Sequence, residues 1–138
     1  MMDREQIAIM IRDIERYLSD LSEMDISKKE DFEEKESYYA VSMIIFAVMN
    51  RVADLGNAVI SGSKIPMPDT YREVFVILSK NSIISNYLAS RMINFMKFRN
   101  AIANEYYRIT NEEMFRLKDD IYEVEKFIDA IKKYVEKK

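Results

Sequence analysis

The stretch SYYAVSMIIFAVMNRVADLGNAVI, Ser37 to Ile60, decides the fold. Tyr38, Val41, Ile44, Ile45, Val48, Val52, Leu55 and Val59 recur at spacings of three and four, the period of an α-helix face. In the middle of the run apolar residues fill most of the remaining circumference as well. A helix that is apolar nearly all round is covered on several sides, either at the centre of a domain or at a subunit interface. The spacing predicts this helix over about Phe32 to Ile60.

The flanking sequence supplies what would cover it. Upstream, Ile7, Ile11, Ile14, Leu18 and Leu21 mark an amphipathic helix from residue 4 to about residue 24. The polar run SEMDISKKED, Ser22 to Asp31, reads as a loop. Downstream, Gly62, Pro66 and Pro68 make the one strong break, SGSKIPMPD. Thr70-x-x-Glu73 is a capping box, in which hydroxyl and carboxylate satisfy orphan backbone donors, and it opens a short helix, YREVFVILSK. Asn81 or Ser82 is expected to cap a fourth helix through Tyr87, Leu88, Met92, Phe95, Phe98 and Ile102, ending near Tyr106 to Arg108. A second capping box, Thr110-x-x-Glu113, opens a last helix with Met114, Leu117, Ile121, Val124, Ile128 and Ile131 on one face. Lys132, Lys133, Lys137 and Lys138 stand at its end, where the helix dipole favours cations. These elements predict an all-α fold, an antiparallel four-helix bundle with an additional short helix.

Composition agrees and narrows the chemistry. The chain has 138 residues, 49% of them hydrophobic, enough for one domain with a real core over residues 1–138. Its 2 glycines and 2 prolines are too few for the hairpins of a sheet protein, and too few for a phosphate-cradling GxxxxGK or GxGxxG loop. There is no cysteine and no histidine. That excludes disulfides, a thiolate nucleophile and the usual proton carrier near neutral pH, and any metal site would be built of oxygen alone. A net charge of −3, from 21 basic and 24 acidic residues, does not give the basic global field of a generic nucleic-acid binder, so any such contact must be local. The first residues, MMDREQIAIM, lack the pattern of a signal peptide. The most apolar run, Val41 to Met49, is shorter than the ~20 residues that span a bilayer. Cytoplasm is the expected location.

One constellation carries chemistry: FRNAIANEYYRI, Phe98 to Ile109. At 3.6 residues per turn, positions seven apart nearly superpose. Arg99 and Tyr106 therefore share one stripe, and Asn100, Asn104 and Tyr107 the neighbouring one. Ala101 and Ala103 are small enough to let a ligand or another backbone approach. Arg91, Lys97, Arg99 and Arg108 face only Glu105 in charge over this span. A guanidinium flanked by amides and phenols suits a phosphodiester. A snorkelling arginine or an ion-pair partner at the edge of a core stripe would leave the same sequence trace.

FRNAIANEYYRI resembles the signature helix of the HepT-like toxins of the HEPN superfamily. There Phe-Arg-Asn is followed by three mostly apolar or variable residues, a histidine, one residue and a tyrosine. Phe98, Arg99 and Asn100 match, and Tyr106 falls at the motif tyrosine. RVADLGNAVI, PDTYREVFVIL, the tyrosine-rich ESYYAVSMII and Ile109-Thr110-x-Glu112 are similar to further family segments, in the right order over about residues 30 to 130. The resemblance implies a twofold homodimer whose arginines line a shared cleft that cuts RNA without metal or other cofactor. It also implies a minimal nucleotidyltransferase antitoxin that in parts of the family transfers AMP to the motif tyrosine, here Tyr106.

Asn104 stands where the motif histidine belongs. Cleavage through the ribose 2′-hydroxyl needs a base, an acid and positive charge at phosphorus. Arg99 can supply the charge. Asn104 exchanges no proton near neutral pH and can only make hydrogen bonds. The expected site comprises Arg99 and Asn104 at the reacting centre and Asn100, Tyr107, Lys97 and Arg108 along the RNA. Two readings follow: a HepT-like RNA endonuclease toxin, weakened by the missing histidine, or a non-catalytic helical module that binds a nucleotidyltransferase, a nucleotide or RNA through the same cleft. A purely structural bundle is the third.

Overall fold

The structure, a computed structural model, describes residues 2–105 and 109–138. Its helices are α1 (Arg4–Glu23), α2 (Lys35–Gly62), α3 (Tyr71–Lys80), α4 (Asn86–Met96), α5 (Arg99–Glu105), α6 (Asn111–Asp120) and α7 (Glu123–Glu136). A short 3₁₀ turn, Lys29–Glu33, precedes α2. There is no strand among the described residues. α1 packs on α2, α2 on α3 and α3 on α4, and α7 closes against α4 and α1, giving the all-helical bundle expected from the periodicity.

α2 is the axis of the molecule. It packs against α1, α3, α5 and α6, and buries Val41, Ile45, Val48, Met49, Val52, Leu55, Val59 and Ile60. α1 lays the stripe Ile7, Met10, Ile11, Ile14, Leu18 and Leu21 into this core. On the far side the edge-to-face pair Phe75–Phe127, 5.7 Å between centroids, ties α3 to α7. At 28 residues α2 is long and apolar enough to cross a membrane by length and composition, although the longest unbroken apolar run is short. Half of its most apolar window is buried against the other helices.

Gly56 shows how closely α3 approaches. A Cβ there would lie 2.5 Å from Val74 Cγ1. Gly62, expected as a helix stop, is a second point of close approach, where a Cβ would meet Met2 at 2.7 Å from its sulfur. The stop itself is a Schellman motif centred on Lys64, whose φ of 59° is left-handed. Ile65 N–H donates to Ile60 C=O and Lys64 N–H to Ser61 C=O, both at 3.2 Å.

The same motif corrects the expected cap of the fourth helix. Asn81 ends α3, and Ser82, with φ 58°, is the left-handed residue after it. Ile83 N–H donates to Leu78 C=O at 2.9 Å and Ser82 N–H to Ser79 C=O at 3.1 Å. The residue that caps α4 is Ser85, whose hydroxyl accepts from Leu88 N–H at 3.0 Å. Other boundaries shift as well. Phe32 lies in the 3₁₀ turn, not in α2. The expected fourth helix is two segments, α4 and α5, separated at Lys97–Phe98. The last helix divides at Ile121–Tyr122 into α6 and α7. At each division a backbone N–H bonds three residues back, Lys97 to Asn94 and Tyr122 to Asp119, both at 3.3 Å. One turn tightens to 3₁₀ geometry without any proline or glycine to announce it.

Candidate nucleic-acid interface

Arg99 is the first residue of α5 and lies against α2 and the start of α3. Its Nε–H donates to Asn50 Oδ1 of α2 at 2.9 Å. The guanidinium has no acceptor, so the amide must present its oxygen. The same guanidinium sits 4.6 Å from the Tyr71 ring centroid and 5.3 Å from that of Phe46. Three elements therefore fix it. Tyr71 is 36% exposed and Arg99 itself is half-buried, so the group is not sealed in the core.

Electrostatics set Arg99 apart from its neighbours. Arg51, one residue past Asn50, pairs with Asp13 at 2.9 Å and Asp54 at 3.6 Å. Arg91 lies within 3.7 Å of both Asp120 and Glu123 and is committed to the contact of α4 with the end of α6 and the start of α7, so it leaves the positive region read from the sequence. Arg99 has no carboxylate partner among the described residues. Its one strong partner is a neutral amide, which orients the charge without cancelling it. Among the described residues this arginine is not an ion-pair partner.

The other expected residues distribute as follows. Asn100 and Asn104 are exposed on α5, and Asn100 Oδ1 stands 3.4 Å from an Arg99 terminal nitrogen. Lys97 is exposed at the α4–α5 division. Tyr106, Tyr107 and Arg108 lie outside the described residues. Immediately beyond them, the Tyr38 hydroxyl donates to Ile109 C=O and ties the end of this segment to α2. Burial raises the Tyr38 pKa, with Tyr39 and Glu113 adding to it, so Tyr38 is no base near neutral pH. Asn50, Phe46 and Tyr71 were not expected at the site. The motif hints at them only through the segments around it, because they reach Arg99 through tertiary packing.

Two grooves are lined by the rings that flank the guanidinium, one by Phe46 and one by Tyr71. One, of about 340 Å³, is lined by Tyr39, Ser42, Met43 and Phe46 of α2 and by Ile102 and Ala103 of α5. Met43 is 74% and Tyr39 48% exposed, an apolar strip on a helix whose other large apolar side chains are buried or half-buried. The other, of about 400 Å³, runs past Tyr71 toward Asn57 and Asp69. Among the described residues no three acidic side chains come together in a way that could hold a metal ion.

The model of the family described as "Ribonuclease HepT-like" matches residues 9–131 of the chain. Among solved structures the chain is similar to the cytosolic protein of unknown function YutE from Bacillus subtilis. The TM-score is 0.86 at 20% identity, covering 99% of this chain and 92% of that one. It is also similar to a chain of a toxin–antitoxin crystal structure with AMP-PNP, with a TM-score of 0.82 at 17% identity over 91% of this chain and 96% of that one. At these identities the likeness is one of fold. No curated protein matches.

Proposed function

Because the chain belongs to the HepT-like ribonuclease family, we propose that it is the RNA-directed toxin of a toxin–antitoxin pair, acting through a cleft built on Arg99. One observation carries this reading: a half-buried guanidinium, oriented by Asn50 and two aromatic rings, is left without a carboxylate among the described residues. Arginine presents planar, paired donors to a phosphodiester and stays charged at any physiological pH. In cleavage its role is to stabilise charge developing on the phosphoryl oxygens. Asn104, at the motif histidine position, is exposed on the same short helix and supplies hydrogen bonds but no proton transfer. Lys97, Asn100 and, outside the described residues, Tyr107 and Arg108 extend the RNA path.

The cleft is shared between two copies. The exposed Tyr39 and Met43, beside half-buried Phe46 in the α2–α5 groove, form an apolar surface of the kind a second chain covers. A toxin–antitoxin structural neighbour supports an antitoxin partner here. That partner is of the minimal nucleotidyltransferase type, and Tyr106 is the residue it would modify. An adenylyl phosphate near Arg99 would compete for its charge. The protein works in the cytosol.

Purified protein incubated with RNA is expected to cleave slowly, by roughly 10²–10⁴-fold less than with a competent acid–base group. Arg99→Ala abolishes the activity and Asn104→His raises it. Unchanged cleavage in Arg99→Ala would refute the site. The second reading, a binding module without catalysis, is favoured by Asn104 itself. Under it Asn104→His stays silent while RNA or partner binding still depends on Arg99.

A further inference from the structure

Resting on the RNA reading above, we propose that the groove beside Tyr71 is a nucleobase subsite, in which an unpaired RNA base stacks on the Tyr71 ring while the adjoining phosphate lies at Arg99. Tyr71 is the first residue of α3 and belongs neither to the core nor to the apolar side chains packed around it. Its ring is nevertheless held in place, with the Arg99 guanidinium 4.6 Å from the centroid. A partly exposed ring held next to a cation that has no carboxylate partner among the described residues is what a stacking platform beside a phosphate site requires.

The rest of the groove selects a base over a second phosphate. Asn57 lies seven residues beyond Asn50 on α2, so the groove follows the helix away from the guanidinium. The Asn57 amide is half-buried and makes no hydrogen bond within the described residues, leaving a donor and an acceptor for a base edge. Asp69 lines the same groove and has no cationic partner among the described residues. Glu73 is close by, with one carboxylate oxygen 2.9 Å from Asp69 N–H. Negative charge there repels phosphate and leaves a neutral heterocycle unpenalised. The space, about 400 Å³, accommodates a base with its ribose. Since every base has a π-face, stacking on Tyr71 tolerates any sequence.

The test uses the intact protein and short single-stranded RNA carrying one 5-iodouridine. Irradiation of the wild type is expected to attach the RNA to Tyr71, read by peptide mass spectrometry. Tyr71→Phe keeps wild-type affinity, whereas Tyr71→Leu loses roughly 5- to 140-fold, the range for one base–aromatic stack. An oligonucleotide abasic at that nucleotide reports the Arg99 contact alone, so Tyr71→Leu, which also loosens the hold on Arg99, weakens it by a smaller factor than the base-bearing strand. Adducts confined to other residues, or a Tyr71→Leu protein that still prefers the base-bearing strand, would overturn the subsite while leaving the phosphate site standing. Wild-type protein that binds neither strand removes the RNA reading and this subsite with it.

Discussion

Replacing Asn50 by aspartate exchanges an amide NH₂ for an oxygen and leaves the side chain's shape intact. The oxygen that accepts from Arg99 Nε at 2.9 Å keeps its place, now as part of a charge. Two unit charges about 4 Å apart attract by about 4 kcal/mol at an effective dielectric of ~20. Arg99 is half-buried, and solvent screening reduces such pairs to roughly 0.2–1 kcal/mol of net stability. The melting temperature should therefore hold or rise slightly. Anion binding moves the other way. A phosphate on the open side of the guanidinium sits about 7 Å from the new carboxylate, a repulsion of about 2 kcal/mol at the same dielectric. Salt with a Debye length of ~8 Å brings that to about 1 kcal/mol. The expected loss of RNA affinity is roughly 5- to 30-fold, larger at low salt. Fluorescence anisotropy with a labelled oligoribonucleotide at two salt concentrations measures it, with Arg99→Ala as reference and a thermal melt as control. Wild-type affinity in Asn50→Asp, alongside lost affinity in Arg99→Ala, would refute the claim that a neutral acceptor keeps the guanidinium available.

Three further outcomes concern the scaffold. Ser82→Gly should raise stability by about 0.5–1 kcal/mol in a denaturant titration, because it relieves ~1–2 kcal/mol of left-handed strain against the greater entropy of glycine in the unfolded chain. Gly56→Ala should destabilise by about 1–3 kcal/mol despite its better helix propensity, since the new methyl meets stiff, buried Val74. Adding Val74→Ala should give a favourable coupling in a double-mutant cycle, and simple additivity would contradict the contact. Asp31 accepts from the N–H groups of Ser27 and Lys28 at 2.9 and 3.1 Å, which holds its carboxyl below the usual range. A lowered folded pKa contributes stability that is complete above the unfolded-state pKa and disappears as pH falls through the folded one. Asp31→Asn should thus lose stability at neutral pH and show a flatter acid limb; an unchanged acid limb argues against these bonds.

Much of the fold was legible because its signals are local. The helix faces follow a 3.6-residue period, and Thr110 with Glu113 forms both halves of the expected capping box. At Thr70 the box is altered: its hydroxyl accepts from Glu73 N–H at 3.1 Å, but Glu73 reaches back to Asp69 N–H rather than to Thr70. The tightened turns at Lys97 and Ile121 were not legible, since a single 3₁₀ turn barely disturbs hydrophobic spacing and needs no special residue. Nor were Asn81 and Ser82 legible as an ending: both are good N-cap residues, and only the apolar partners Leu78 and Ile83 mark the Schellman closure. At the site, Arg99 stood out from its neighbours along the chain. Its partner Asn50 lies 49 residues away, and proximity of that kind is written in packing, not in spacing.

The grip of α2, α3 and α5 on one arginine has a thermodynamic corollary. A free arginine carries about 2 kcal/mol of rotamer entropy, which an incoming anion would ordinarily have to quench. Here folding has already frozen much of that motion through an amide and two rings drawn from distant parts of the chain. Recognition can then begin from a rigid receptor, and substitutions deep in the interhelical packing will register as weaker binding even where no ligand ever touches them.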